Sequence, residues 1–481
     1  MKRISYIVII ALLLVILPVS TVTAQSATNT SWTSSITYYS PSSTAGELNI
    51  NYYDGTTIYT AGPFPVSPHG AGSVNIGSTS VPDGFGGSAV LSANVPINAT
   101  YVQFAKDSPT SYSRAFYTGF DESKAGSKFY LATVRANGIS TTTFGVQNIE
   151  SFEITATLDF FSVGATTPTF SVSVDIMPNA TYISSVPDVS TYPGGSFDGS
   201  LVVTATKKGD VATPGKVVAS AQETLDNGVS VYAFEGAKEG ATEVYLPSAM
   251  CNRGGQTSYF AIQNTGDDTA SVIVDYYNTS GVKVGSMPST NIAKGAKLST
   301  NPCNDSLLVG ELGSAVVKST NGKPLIAIGK VASDAGLITA FSGEIIGSTT
   351  VVAPYVRWAA DQNTSWSAYL AIMNVGSTNA ENIIANYYDA SGTLRASHVL
   401  ASALTPLAPF TKVNTNPSSA GALINNSFGY TVDGGANGGA VEIISDQPVV
   451  ALVRLTTNPL TIPNISMLGE DYIGIAVMPI P

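Results

Sequence analysis

Charge is scarce in this chain of 481 residues, where Asp, Glu, Lys and Arg together make up 11%. Beside 44% hydrophobic residues, that scarcity excludes a disordered chain, which needs low hydrophobicity and high net charge. Cysteine is limited to Cys251 and Cys303, and histidine to His69 and His398. Two cysteines without neighbouring Cys or His at short spacing make no zinc site. A Ser-His-acid centre needs its histidine in contact with partners, and these two stand far apart in turn-like surroundings, as surface histidines do. No GxSxG, HExxH, phosphate-loop or EF-hand spacing occurs. After the first 24 residues, no stretch approaches the ~18–20 uninterrupted apolar residues that a membrane helix requires. A non-enzymatic chain is the expectation.

What is present begins with a leader. Lys2 and Arg3 precede the apolar run Ile7 to Leu17, and Val22-Thr23-Ala24 offers small residues for cleavage before Gln25. Residues 1–24 therefore read as a signal peptide, with a retained anchor as the alternative. Its removal moves the formal net charge from −11 to −13. A weakly charged, acidic surface disfavours nucleic acid and anionic membranes as partners. An extracellular or cell-surface location makes a Cys251–Cys303 disulfide the expectation and two buried thiols the alternative.

Enrichment in Gly, Ser, Thr, Asn, Val and Tyr favours strands and turns. At this length several domains are required. Thr257 to Gly281, TSYFAIQNTGDDTASVIVDYYNTSG, reads as strand, turn, strand, turn, and four versions of it occur. Their first strands fall at Ile36, Phe144, Phe260 and Leu370, at offsets of 108, 116 and 110 residues. An acidic or amide residue and two aromatics follow each: Asn51-Tyr52-Tyr53, Asp159-Phe160-Phe161, Asp275-Tyr276-Tyr277 and Asn386-Tyr387-Tyr388. Alternation puts Ile154, Ala156, Leu158 and Phe160 on one face and Phe161 on the other; Val272, Val274 and Tyr276 likewise oppose Tyr277. The fold class is all-β: four tandem sandwiches of roughly seven strands, at 25–135, 136–250, 251–359 and 360–481, joined by short connections into a rod-like array.

The pattern Asn264-x-Gly266, Ala270, Tyr276-Tyr277, Ser280-Gly281 returns as Asn374-x-Gly376, Ala380, Tyr387-Tyr388, Ser391-Gly392. It resembles the cell-adhesion-related, immunoglobulin-like repeats of bacterial and archaeal surface proteins. In the first unit Ser40 stands where the others have Asn. The resemblance implies an extracellular module without catalytic residues.

Tyr53, Phe161, Tyr277 and Tyr388 form the candidate interaction face. Outward aromatics stack on glycans or anchor partners, or else seal contacts between successive sandwiches. Glu235, Glu344 and Glu470 recur once per repeat, a spacing that sets them too far apart for the paired carboxylates of a glycosidase. No cofactor is expected, except for weak calcium sites between domains. The C-terminal Ile475, Ala476, Val477 and Met478 either complete their own domain or act as a strand donated to a neighbouring copy. A surface structural protein that self-associates or meets other surface proteins is the leading expectation; a glycan-binding adhesin is the alternative.

Overall fold

The computed structural model describes residues 32–55, 57–105, 114–225, 230–359, 367–429, 438–457 and 467–477. The leader and Met478 lie outside the described residues. The chain is all-β with antiparallel strand pairing, and a similar strand order recurs along it: units one and three each have two separate sheets, while in units two and four the two layers are joined into one hydrogen-bonded sheet.

Unit one holds β1 (Trp32–Tyr39), β2 (Gly46–Tyr53), β3 (Ile58–Val66), β4 (Ala71–Asn75), β5 (Ser88–Ala93), β6 (Asn98–Ala105) and β7 (Arg114–Thr118). Its sheets run β4-β1-β6-β7 and β3-β2-β5. Unit two holds β8 (Lys128–Ala136), β9 (Ser140–Asn148), β10 (Ile154–Ser162), β11 (Phe170–Ile176), β12 (Thr181–Ser185), β13 (Phe197–Lys207), β14 (Asp210–Pro214), β15 (Val217–Leu225) and β16 (Val231–Glu235). They are ordered β12-β9-β15-β16 and β11-β10-β13-β8.

Unit three comprises β17 (Glu243–Met250), β18 (Gln256–Asn264), β19 (Ala270–Asn278), β20 (Lys283–Ser286), β21 (Thr290–Ile292), β22 (Lys297–Thr300), β23 (Leu312–Ser319), β24 (Leu325–Ser333) and β25 (Ile338–Ser342). Unit four comprises β26 (Ser348–Ala353), β27 (Trp358–Ala359), β28 (Ser367–Asn374), β29 (Ile383–Asp389), β30 (Leu394–Ala401), β31 (Lys412–Thr415), β32 (Ser427–Phe428), β33 (Gly439–Thr457), β34 (Leu468–Ile473) and β35 (Ile475–Ala476). The sheets β22-β18-β24-β25 and β20-β19-β23-β17 repeat the scheme. In unit four the single strand β33 serves both sheets, pairing with β29 and β26 through its first half and with β28 and β34 through its second.

Period-two burial builds each sandwich. Ile154, Ala156, Leu158 and Phe160 are fully buried, as are Val272, Val274 and Tyr276, each large side chain contributing about 1.5–3 kcal/mol of burial. Those of β19 meet Phe260 and Ile262 of the facing sheet. The Asn-x-Gly signal has a mechanical cause. Asn264 donates Nδ2 to the carbonyls of Asp268 and Ile292 and accepts the Gly266 N–H, pinning one hairpin to the next strand. Asn148 and Asn374 do the same. Ser40 is too short and instead donates to Pro96 O. The disulfide Cys251–Cys303 is formed.

The expected boundaries near 135 and 250 fall at the ends of shared strands. β8 and β17 lead out of one unit, yet pair with β13 and β23 of the next. The expected rod is not formed. The inner strands pack in a closed cycle: β7 lies against β16 and β34, and β25 lies against the same two. This cycle of contacts brings unit four against unit one.

Candidate functional site

The four aromatics chosen from sequence all lie at the seams between units. Each seam has a receiving residue held at positive φ just ahead of an edge strand: His69 (φ 48°), Asn179 (φ 59°), Gly295 (φ 75°) and Phe410 (φ 62°). The backbone N–H of Ser40, Asn148, Asn264 and Asn374 bonds the carbonyl of the residue that follows each. The left-handed turn thus presents the receiving residue to the neighbouring unit.

Opposite it stand the aromatic and, one strand over, a small residue. Tyr53, Phe161, Tyr277 and Tyr388 pair across the ladder with Ser88, Ser200, Ser314 and Ala440. Ser88 Oγ donates to Asn179 O at 2.8 Å, Ser200 Oγ to Gly295 O at 2.6 Å, and Ser314 Oγ to Phe410 O. Phe161 covers Gly295 so closely that a Cβ there would sit 2.7 Å from the ring. Tyr277 meets the Phe410 ring at 5.2 Å, and Tyr388 stacks on His69 at 5.0 Å with the planes 12° apart.

An open aromatic face is therefore corrected. Phe161 is 5% exposed and Tyr277 8%, while Tyr53 and Tyr388 are half-buried. They face away from their own cores, as alternation requires, and Phe161, Tyr277 and Tyr388 face into the next unit. Nor is His69 a free surface histidine, since it closes the seam between units four and one. His398 bonds Thr415 Oγ1 through Nδ1 at 2.8 Å.

Charges missed from sequence also gather at the seams. Glu223 accepts Arg135 Nη1 at 3.3 Å and Lys330 Nζ at 2.9 Å, joining units two and three. Burial would raise the Glu223 carboxyl, but the two cations outweigh it and hold it at about 2. Lys297 bonds Thr133 Oγ1 at 3.0 Å and pairs with Asp198; burial brings its ammonium down to about 8 against that attraction. Asp471 accepts Thr339 Oγ1 at 2.8 Å and a bidentate Arg454. Arg114 Nη1 reaches Glu470 Oε1 at 2.9 Å, tying unit one to unit four.

Two of the recurring acids, Glu235 and Glu344, do not stand a domain apart. Glu235 accepts Thr118 Oγ1 at 2.9 Å from unit one and Ser342 Oγ at 2.8 Å from unit three. Burial raises the Glu344 carboxyl, and the nearby Glu235 adds to the rise. Among the described residues no three His, Cys, Asp or Glu side chains converge as metal ligands. Ile475 and Ala476 pair with Val352 and Val351, and Val477 N–H bonds Thr350 O. The described part of the candidate donor strand is thus used within its own chain, and Met478 lies outside the described residues.

Sequence did not single out the receiving residues, though it holds a trace of them. Pro68-His69, Pro178-Asn179 and Pro409-Phe410 precede three of the edge strands, with Lys294-Gly295 before the fourth.

These sheets and seams define a class: an all-β protein of recurring antiparallel sandwiches whose side-chain chemistry is concentrated where the units meet. No family model and no curated protein matches the chain. Among solved structures, the adhesive subunit of the CFA/I fimbria of enterotoxigenic Escherichia coli aligns at 10% identity, over 72% of this chain and 80% of that one, with a TM-score of 0.08. A likeness at that level carries no argument.

Proposed function

We propose that the chain is a non-enzymatic structural protein of the cell exterior, a preassembled β scaffold that works through its outer faces and edges. The observation carrying this reading is the use of the conspicuous aromatics and buried ion pairs as seam material. Groups of that kind, spent on holding units together, favour rigidity over turnover. Self-association and contact with other surface proteins are the corresponding partnerships. Immunogold electron microscopy of intact cells tests the reading: labelling at the surface is expected, and a soluble intracellular pool alone would sink it.

A glycan-binding adhesin is the second reading, favoured by a pair of residues other than those first chosen. Tyr259 and Tyr369 occupy equivalent places on β18 and β28, one position before Phe260 and Leu370, and are 45% and 44% exposed. Glycan-array binding lost in Tyr259→Ala and Tyr369→Ala, with folding intact, supports it; an array silent toward the folded parent removes it.

A further inference from the structure

Two equivalent lysines open the edge strands β22 and β31, and only one of them has an anion. Lys297 stands across the ladder from Gln263 and Lys412 from Met373, just before Asn264 and Asn374. They are 2% and 5% exposed. Met373 belongs to one core cluster with Val331, Leu337 and Phe341 of unit three. Residues opposed on a ladder share a face, so Lys412 points into the seam between units three and four, as Lys297 points into the seam between units two and three.

The walls that the two lysines face differ. Gly199 and Gly313 mark equivalent places, since a Cβ on either would meet the carbonyl oxygen of Phe161 or Tyr277. Counted from them, Asp198 of unit two becomes Leu312 in unit three, Arg135 becomes Met250, and Thr133 becomes Ser248. Glu223 opposes Thr142, six positions before Asn148; Val331 opposes Ser258, six before Asn264. Each charge that surrounds Lys297 from unit two is thus an apolar residue at the next seam, and Lys412 is kept all the same.

Nothing in unit four compensates. The nearby carboxylate, Asp471, accepts Arg454 Nε at 2.8 Å, Arg454 Nη2 at 2.6 Å and Thr339 Oγ1 at 2.8 Å. Among the described residues Lys412 Nζ makes no hydrogen bond and no ion pair, and Arg454 Nη1 donates to no protein group. A buried ammonium without an anion sheds its proton. Burial and the Arg454 charge act in that direction on Lys412, against Asp471. The seam therefore holds an amine lone pair, an uncommitted cationic donor and, by register, the buried hydroxyl of Ser248, beside Met250 and Leu312. The missing element is the carboxylate that Asp198 provides at the neighbouring seam. A small uncharged electrophile whose adduct is itself a carboxylate fits that vacancy, and carbon dioxide is such a molecule.

We propose that Lys412 takes up carbon dioxide as a carbamate, which serves as the missing anion of the seam between units three and four. The Nζ lone pair forms a bond to the carbon, one C=O π pair moves onto oxygen, and Nζ releases one proton to water, so amine and carbon dioxide give carbamate and a proton with no change of oxidation state. Arg454 Nη1 and Ser248 Oγ are the donors on hand for the new oxygens. The seam then answers to dissolved carbon dioxide.

Carbon-13 NMR of the full chain equilibrated with labelled bicarbonate near pH 7.5 tests this. A carbamate resonance is expected that is absent from Lys412→Met. Trapping with triethyloxonium and peptide mass spectrometry should place the adduct on Lys412, at about a hundredfold or more the occupancy of an exposed lysine such as Lys207, in line with the larger neutral fraction of the buried amine. Lys297, whose anion is in place, should stay unmodified. The urea midpoint of the parent should rise with carbon dioxide, and that of Lys412→Met should not. Should Lys412→Met fail to fold, the trapped peptide of the parent decides alone. Absence of the resonance, its survival in Lys412→Met, or label spread evenly over exposed lysines overturns the proposal. So does a midpoint raised equally by chloride with no adduct formed, which would mark an ammonium that binds a mineral anion.

Discussion

Gly295→Ala is the sharpest probe of the seam design. Gly295 stands at φ 75°, where an L side chain costs about 1–2 kcal/mol. Its new Cβ would meet three ring atoms of Phe161 at 2.7–2.9 Å. The backbone has little room to withdraw, because its carbonyl accepts Ser200 Oγ at 2.6 Å and Gln263 Nε2 at 3.0 Å. Overpacking of that kind costs about 1–3 kcal/mol, so the variant should lose roughly 2–5 kcal/mol in all. His69, Asn179 and Phe410 carry side chains at the same place, so the left-handed turn is compatible with a Cβ; the ring of Phe161 is the particular obstacle at this seam.

Urea unfolding of the parent, Gly295→Ala, Phe161→Leu and the double variant measures both parts. Phe161→Leu should cost about 1–2 kcal/mol alone, since the ring fills the seam. In the double variant the clash disappears and only the backbone strain remains. A favourable coupling of about 1 kcal/mol or more is therefore expected. Strict additivity, or a Gly295→Ala loss below about 0.5 kcal/mol, would refute the contact as the organiser of this seam.

Replacing Cys251 and Cys303 by Ala opens a loop of 52 residues and should cost about 4 kcal/mol, read as a lower calorimetric midpoint that reductant reproduces in the parent. Burial, reinforced by Arg454 and opposed by Asp471, depresses the Lys412 ammonium to about 7. Between pH 7 and its unfolded value the native state holds fewer protons, so this group's contribution makes stability rise with pH; Lys412→Met should flatten that slope and gain most below pH 7 in denaturant titrations. Glu223, held at about 2, contributes fully above its unfolded value and loses that contribution as pH falls toward 2. Glu223→Gln removes the carboxylate that Lys330 and Arg135 share, leaving Arg135 with Asp198 and Lys330 with the Tyr232 hydroxyl, and should cost about 3–5 kcal/mol at pH 7, narrowing toward pH 2; a gap independent of pH would show that the pairing is not electrostatic.

The strands were legible because burial with period two leaves its mark on each strand separately. The paired-aromatic signal survived four times and the Asn-x-Gly signal twice, because each is tied to a local hairpin. Closure was not legible, because the angle between successive units depends on Phe161 meeting Gly295 or Tyr277 meeting Phe410, residues more than a hundred positions apart. Nor do the inner strands advertise their register. Tyr117-Thr118-Gly119 and Tyr472-Ile473-Gly474 are the structural counterparts of Phe234-Glu235-Gly236, as shown by the glycine N–H bonds to Ala99, Ala451 and Ala219. Alternation identified Phe161 and Tyr277 as facing away from their own cores, and only the neighbouring unit decides that such a residue is buried.

The seam between units four and one differs from the other three, and the difference follows from connectivity. β8, β17 and β26 carry the chain across the first three seams, so those contacts form between tethered surfaces at high effective concentration. The fourth is crossed by no strand among the described residues, and its chemistry is correspondingly different. Ala440 replaces the serine that elsewhere bonds the receiving carbonyl. In compensation Tyr388 stacks on His69, Arg114 pairs with Glu470, and a Cβ on Gly392 would sit 1.8 Å from Pro68 O, so backbone meets backbone directly. A contact that must hold without a tether needs charge and close shape together. It is also where reversible opening costs least chain strain.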